Sequence, residues 1–187
     1  IHRKLSFRMS ASSEIFLENC EIPLKNRLPG ARGLGHALKC LNEARYGIVW
    51  GVAGAAEACF EEALVYGSSR IQFGRPIAGF QMTQSKLATM YAAVVRSKLL
   101  ALHLGRLKER GALHHTDVSL GKLNNVRDAL DVARTARTIL GGIGILDTTV
   151  SLRHAANLES ELTYEGTDEV HALIIGRHLT GLDAFRG

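Results

Sequence analysis

The stretch TYEGTDEVH, near the end of the sequence, carries a carboxylate, a glycine and threonine hydroxyls just before a segment with helical periodicity. Thr167 is a residue type that caps a helix by accepting free backbone N–H groups, and Asp168 and Glu169 then fall in a first turn that favours negative charge. Glu165 is not explained in this way, because it precedes the cap and has the conformationally permissive Gly166 beside it. Glu165 is therefore either a solvated loop acid or a base directed into a pocket.

Three further features could bind a ligand, although each also has an ordinary structural explanation. Arg70 and Phe73 place a guanidinium and an aromatic ring at the end of a predicted helix, where a terminal positive charge and a core phenylalanine are also common. Gly141 and Gly142 follow another predicted helix, where glycine usually serves as a C-cap. Arg45 would ordinarily be a surface charge. Together these residues offer a fork for phosphate, a ring for stacking and a bare backbone that a ligand can approach.

The composition excludes several classes of protein and site. With 187 residues the chain has room for one good core, or for one domain plus a remnant of another. The net charge of +5 comes without a basic and aromatic motif, so we expect no nucleic-acid binding. The three cysteines are odd in number and far apart, which favours a reducing compartment over a disulfide framework or a zinc site. The longest apolar stretch, YGIVWGVAGAA, is too short to span a membrane. No P-loop, GxGxxG or HExxH motif is present, and no metal site is expected.

The elements that must position these residues are mainly helical. Periodicity predicts helices over residues 37–66, 83–109, 117–140, 149–162 and 168–179. Their short connections predict antiparallel neighbours, and hence an up-and-down bundle of four to five helices. Residues 4–23 alternate between apolar and polar types and predict two strands, which form a poor sheet alone. We therefore divide the chain into residues 1–28, a remnant β-hairpin formed by the trailing strands of a middle β domain, and residues 29–187, a C-terminal helical-bundle domain.

Several motifs, in their order and spacing, resemble the C-terminal half of the acyl-CoA dehydrogenase family. They are NEARYGIVWGVAG, RIQFGRPIAGFQ, ARTILGGIGI, RHAANLES, TYEGT and IIGRHLTGLDAF. Within the family the pattern is most similar to the glutaryl-CoA dehydrogenases. The early stretch KLSFRMSASSEIFLENCEIP resembles the last strands of the family's middle β domain. The resemblance implies that the N-terminal helical domain and most of the β domain lie outside this chain.

The resemblance implies a role for the glutamate of TYEGT. Glu165 matches the catalytic base, which removes the pro-R α-proton of an acyl-CoA thioester while the β-hydrogen leaves as hydride to FAD. Its backbone N–H would help to polarise the thioester carbonyl. Gly166 would let the acyl chain pass close by, and Thr167 would reach the flavin as well as cap its helix. The residues implied to contact the substrate are Asn42, Arg45, Tyr164 and Gly166.

The resemblance also implies contacts with FAD, in part across a subunit boundary. Arg70 and Phe73 match residues that hold the adenosine-diphosphate end of FAD, usually on a neighbouring subunit. The other implied FAD contacts are Gln81, Thr138, Ile139, Leu140, Gly141, Gly142, Thr167 and Phe185. The sequence departs from the family at two positions, since Thr138 stands where relatives carry a longer polar residue and Ile143 where many have Asn.

The implied function is that of an FAD-dependent acyl-CoA dehydrogenase, most similar to those that oxidatively decarboxylate glutaryl-CoA to crotonyl-CoA and carbon dioxide. Electrons would pass to electron-transfer flavoprotein, in the mitochondrial matrix or the bacterial cytoplasm. A homotetramer, a dimer of dimers, is implied, and the stripe of small residues Gly47, Gly51 and Ala55 would let helices pack closely. The chain alone is expected to be inactive. The alternatives are another short-chain acyl-CoA dehydrogenase, an acyl-CoA oxidase, or a non-catalytic helical assembly module.

Overall fold

Five α-helices dominate the computed structural model, which describes residues 1–184. They are α1 (Gly35–Ser69), α2 (Gln81–Glu109), α3 (His115–Leu140), α4 (Ser151–Thr163) and α5 (Asp168–Thr180). A two-stranded antiparallel hairpin, β1 (Ile71–Gln72) and β2 (Arg75–Pro76), lies between α1 and α2. The predicted mainly helical bundle is confirmed, and each helix begins and ends within one turn of its predicted limits.

Helix α3 lies at the centre and packs against the other four helices. The core is lined largely by alanine and valine, which lets the helices approach closely. At Gly121 of α3 the packing leaves no room for a side chain. A Cβ atom there would lie 2.5 Å from Leu104 Cδ1 of α2 and 3.0 Å from Val49 Cγ2 of α1. The glycine therefore sets the distance between three helices.

Two polar side chains fix the helices to one another. The buried amide of Asn125 on α3 donates hydrogen bonds to the carbonyls of Val49 on α1, at 3.1 Å, and Ser97 on α2, at 3.0 Å. The carboxylate of Glu62 on α1 accepts the backbone N–H groups of Val150 and Ser151 at 2.9 and 3.1 Å. Glu62 thus caps the start of α4 from another helix, where free N–H groups favour negative charge.

Helix α2 is long and apolar enough, by length and composition alone, to cross a membrane, although the longest uninterrupted apolar stretch of the sequence lies in α1. A core helix of a bundle meets the same criterion when it is apolar on its packed face. Since α2 packs against both α1 and α3, we interpret it as a helix of the bundle.

The N-terminal segment does not form the predicted strands. Residues 1–34 contain no strand in the structure, and the one hairpin among the described residues is β1–β2. Leu5, Met9 and Phe16 are 89%, 100% and 83% exposed. A strand needs a neighbour to complete its backbone hydrogen bonds, and no described segment pairs with these residues. The assignment of residues 1–28 to a separate β domain stays a prediction.

The small residues of α1 that were predicted to let helices pack closely do not do so within this chain. Gly47 and Gly51 are exposed, and a Cβ atom built on either would have nothing within 4 Å. These glycines therefore do not bring two helices of this chain together.

Candidate functional site

The loop of residues 164–167 joins α4 to α5 and holds the predicted base. Thr167 is the N-cap of α5, where its hydroxyl accepts the N–H of Val170 at 3.3 Å. Asp168 lies in the first turn of α5 and pairs with Arg127 of α3, with its Oδ1 2.9 Å from the Arg127 Nε. The cap predicted from the sequence is confirmed, and Glu165 lies immediately before it.

The backbone of this loop has a positive φ at two successive residues. Glu165 has a φ of +58° and Gly166 a φ of +96°. A left-handed conformation is uncommon for a residue with a side chain and persists only where the surroundings enforce it. At Gly166, a Cβ atom would also lie 2.9 Å from His171 Nε2 and 3.5 Å from Arg45 Nη2. The site therefore requires glycine at position 166 for both conformation and space.

Two cationic side chains from distant helices hold the loop. Lys122 of α3 donates hydrogen bonds to the carbonyls of Tyr164 and Gly166, each at 2.6 Å. Arg45 of α1 donates from Nε to the carbonyl of Glu165, also at 2.6 Å. Three consecutive carbonyls are thus bound by two positive charges. Since hydrogen bonds from charged donors are the strong ones, this arrangement explains how the strained backbone persists.

Lys122 is not among the site residues predicted from the sequence, since a lysine within a helix is usually solvated. One signal was available in the sequence. Val118 and Val126 lie four residues before and after Lys122, and both are buried on the same face of α3. A lysine between two such positions indicates a buried charge with a specific partner. The Lys122 side chain is 1% exposed, and burial lowers its pKa to about 8.

The Glu165 carboxylate has a free and buried acceptor atom. Its Oε2 has no hydrogen-bond partner within residues 1–184, and the same is true of both ring nitrogens of the buried His171. Burial, with the charges of Lys122 and Arg45, lowers the pKa of His171 to about 4, so its ring is neutral near pH 7. The Glu165 N–H group also binds no other backbone or side-chain group in the described structure. One residue thus presents both a proton acceptor and a hydrogen-bond donor.

The other predicted substrate contacts lie around this loop. Tyr164 is 43% exposed, and its ring centroid is 5.9 Å from the Lys122 Nζ. Burial and the neighbouring Glu161 raise the pKa of the Tyr164 hydroxyl. Asn42 lies three residues before Arg45 on α1, which places the two on the same face of the helix. The structure therefore brings the predicted base and substrate contacts to one region.

Most of the predicted FAD contacts lie around the β1–β2 hairpin, whereas Thr167 lies in the Glu165 loop at the start of α5. Phe73, at its tip, has a φ of +52° and is 92% exposed, so the alternative of a core phenylalanine is wrong. Its ring contacts Phe80 edge-on, with centroids 6.2 Å apart. Phe73, Gln81 and Thr138 line a groove of about 810 Å³.

A second groove, of about 520 Å³, lies beside the first and is lined by Arg70, Gly141 and Gly142. Cβ atoms built on the two glycines would meet nothing within 4 Å, so a ligand can approach their backbone. The Arg70 guanidinium has no ion pair or side-chain hydrogen bond within the described chain. An open backbone beside an unpaired guanidinium fits the diphosphate of FAD.

Some of the predicted FAD contacts have side chains that a ligand cannot reach. Ile139 and Leu140 are 7% and 2% exposed and belong to the core, so only their backbone could contact a ligand. Phe185 lies outside the described residues. The part of the chain that the structure describes contains no cluster of three or more residues suited to a metal ion.

Within one chain, the Glu165 loop and the grooves beside the β1–β2 hairpin do not form a single site. Lys122, at the Glu165 loop, and Leu140, beside the glycine pair, are both on α3. At 1.5 Å per residue, they are about 27 Å apart along the helix axis. The predicted base and the predicted FAD contacts of the hairpin therefore lie toward opposite ends of α3.

Comparison with known proteins agrees with this geometry. Residues 31–180 match the family described as acyl-CoA dehydrogenase, C-terminal domain. A glutaryl-CoA dehydrogenase from Mycobacterium smegmatis is 61% identical, with a TM-score of 0.86, over 88% of this chain and 43% of its own. A second structure of such an enzyme from that organism, in complex with FADH2, is 52% identical with a TM-score of 0.97, over 100% of this chain and 48% of its own.

The human mitochondrial short-chain specific acyl-CoA dehydrogenase is 32% identical over 94% of this chain and 43% of its own length. This chain thus spans less than half the length of that relative. The family match covers most of the helical bundle, including the strained loop and the hairpin. The chain belongs to the acyl-CoA dehydrogenase family, and its helical bundle is the C-terminal domain of that family.

Proposed function

We propose that the protein carrying this chain is an FAD-dependent acyl-CoA dehydrogenase that acts on glutaryl-CoA, and that Glu165 is its catalytic base. The observation that carries the proposal is the buried Oε2 of Glu165, which has no hydrogen-bond partner among the described residues and lies on a strained loop held from two helices. A carboxylate fixed in this way can accept a proton from a ligand without first breaking another hydrogen bond. FAD, when bound, supplies the acceptor for the hydride.

The residues of the loop have different roles toward the substrate. The Glu165 carboxylate takes the α-proton of the thioester, and the free Glu165 N–H stabilises the negative charge that develops on the thioester oxygen. The carbonyl of Gly166 is bound by Lys122, so the Gly166 backbone stays in place while the acyl chain passes. For glutaryl-CoA, loss of the γ-carboxylate as carbon dioxide then leaves a carbanion, which takes back the proton held by Glu165 at the γ-carbon to give crotonyl-CoA.

The preference for glutaryl-CoA is supported by the two structural relatives that carry that name, at 52% and 61% identity. A second candidate is a dehydrogenase of short, uncharged acyl chains, because the human relative at 32% identity is short-chain specific. The lower identity makes this candidate the weaker one. Comparison of kcat/KM for glutaryl-CoA and butyryl-CoA separates the two, and a preference for butyryl-CoA would replace our proposed substrate.

We also propose that the protein assembles as a homotetramer and passes electrons to electron-transfer flavoprotein. Trp50, Val65, Tyr91 and Leu99 are large apolar residues of α1 and α2 that are 43% to 69% exposed. Exposed apolar surface of this kind is typical of subunit interfaces. Arg70, whose guanidinium has no ion pair or side-chain hydrogen bond among the described residues, and the exposed Phe73 would contact FAD bound to a neighbouring subunit.

The decisive experiment uses the protein expressed from its complete gene and loaded with FAD. Wild type and Glu165→Gln are mixed anaerobically with glutaryl-CoA while the visible flavin absorbance is followed. We expect wild type to bleach and Glu165→Gln to bleach about a hundredfold to ten-thousandfold more slowly while it retains FAD. Glu169→Gln is the matched control, since this carboxylate is exposed and lies four residues further along the chain.

Two results would contradict the proposal. Equal bleaching of wild type and Glu165→Gln would show that another group removes the proton. Failure of the wild-type protein to retain FAD would favour a non-catalytic assembly module. Repeating the reaction under air tests the oxidase alternative, because an oxidase would reoxidise its flavin rapidly with oxygen.

A further inference from the structure

Lys122 is a buried charge that pairs with backbone instead of a carboxylate. Its side chain is 1% exposed, and its Nζ lies 2.6 Å from both the Tyr164 and the Gly166 carbonyl oxygens. No carboxylate oxygen of the described residues lies within 4.0 Å of this Nζ. Burying a lysine is costly unless specific partners compensate, and here the partners are the two carbonyls on either side of Glu165.

The geometry explains why two carbonyls are bound at once. Glu165 and Gly166 both have positive φ, so the chain reverses between the two carbonyls and turns both toward α3. If one of the two hydrogen bonds were lost, the loop could relax toward an ordinary backbone conformation. Such a relaxation would rotate the Cα–Cβ bond of Glu165 and with it the carboxylate.

We propose that Lys122 is a positioning residue for Glu165, whose ammonium group fixes the backbone on both sides of the base and thereby the direction of its carboxylate. The proposal rests on the proposed role of Glu165. Lys122 does not touch the carboxylate in this arrangement and acts only through the backbone. Arg45, which binds the intervening carbonyl, supports the same conformation from α1.

The test compares Lys122→Met with Lys98→Met in the FAD-loaded protein expressed from its complete gene. Methionine keeps most of the length of lysine and removes the three donors. Lys98 is the matched control, because it is a lysine at the surface of α2 that pairs with Glu57. Three quantities are measured: the rate constant of flavin bleaching by saturating acyl-CoA, the Kd of that acyl-CoA, and amide hydrogen exchange of peptides covering residues 163–171.

We expect Lys122→Met to bleach 10- to 100-fold more slowly, as expected when a reacting group is displaced by about 1 Å. The Kd should change less than threefold, and exchange in residues 163–171 should rise at least tenfold while α1 and α2 exchange as in wild type. Lys98→Met should match wild type throughout. A merely stabilising lysine would alter exchange across the whole bundle instead.

Several outcomes would overturn the proposal. They are unchanged exchange in residues 163–171, bleaching within twofold of wild type, or loss of protection throughout the bundle. If Lys122→Met does not fold, Lys122→Gln, which keeps an amide donor, must show the same changes to a smaller extent. The exchange measurement does not depend on the reaction. If the loop loosens but the wild-type protein never bleaches, the proposed function fails while the role of Lys122 in fixing the loop stands.

Discussion

Replacing Gly166 by alanine tests whether position 166 requires glycine because of the close contact with His171 as well as because of its backbone conformation. The added Cβ would lie 2.9 Å from His171 Nε2 and 3.2 Å from His171 Cε1. The His171 ring is 1% exposed and its charged neighbours include Lys122 and Arg45. It therefore cannot move away without shifting the groups that hold the loop.

The expected loss of stability has two parts. An alanine at positive φ costs about 1–2 kcal/mol. Forcing a buried group and its backbone to shift costs about 1–3 kcal/mol more. We therefore expect Gly166→Ala to lower the free energy of unfolding by about 2–5 kcal/mol. Gly181→Ala, at the end of α5, provides the control, since Gly181 has a φ of +72° but nothing within 4 Å of a Cβ. It should lose only the first part, about 1–2 kcal/mol.

The assay is equilibrium unfolding in urea, followed by helical circular dichroism, for wild type, Gly166→Ala, Gly181→Ala, His171→Ala and the double variant Gly166→Ala/His171→Ala. In the His171→Ala background the added methyl group has room, so the cost of Gly166→Ala should fall to that of Gly181→Ala. If Gly166→Ala and Gly181→Ala differ by less than about 0.5 kcal/mol, the contact with His171 is not significant and the reasoning is refuted.

Two further predictions concern groups outside the reaction. His171 has a folded pKa of about 4, below its unfolded value of about 6.5, because of burial first and then Lys122 and Arg45. The unfolded state then binds more protons, so we expect the free energy of unfolding to fall as the pH falls from about 6.5 to 4. Urea midpoints measured over this pH range should fall less in His171→Gln than in wild type. Glu62 accepts hydrogen bonds at the start of α4. Glu62→Gln should lower the free energy of unfolding by about 1 kcal/mol and Glu62→Ala by about 2–4 kcal/mol, and equal stability of Glu62→Ala and wild type in urea would contradict this account of the cap.

Local patterns in the sequence were sufficient for the helices and for part of the site. The limits of α1 to α5 follow from apolar periodicity and from glycines and caps, which act over a few residues. Thr167 was recognised as a cap, and Glu165 as a residue that the cap does not explain, for the same reason. The alternation in residues 4–23 predicted strands that the structure does not contain, because alternation favours a strand only where a neighbouring strand completes its hydrogen bonds.

What the tertiary structure decided is the environment of Glu165. Arg45 is 120 residues from the carbonyl it binds, and Lys122 is 42 and 44 residues from its two acceptors. These contacts depend on how α1 and α3 pack, which in turn depends on details such as the absence of a side chain at Gly121. Local sequence determines which residues can form a helix or cap it. The positions at which separate helices bring a charge, a carbonyl and a glycine together are determined only by packing, because those hydrogen bonds join segments that no local pattern relates.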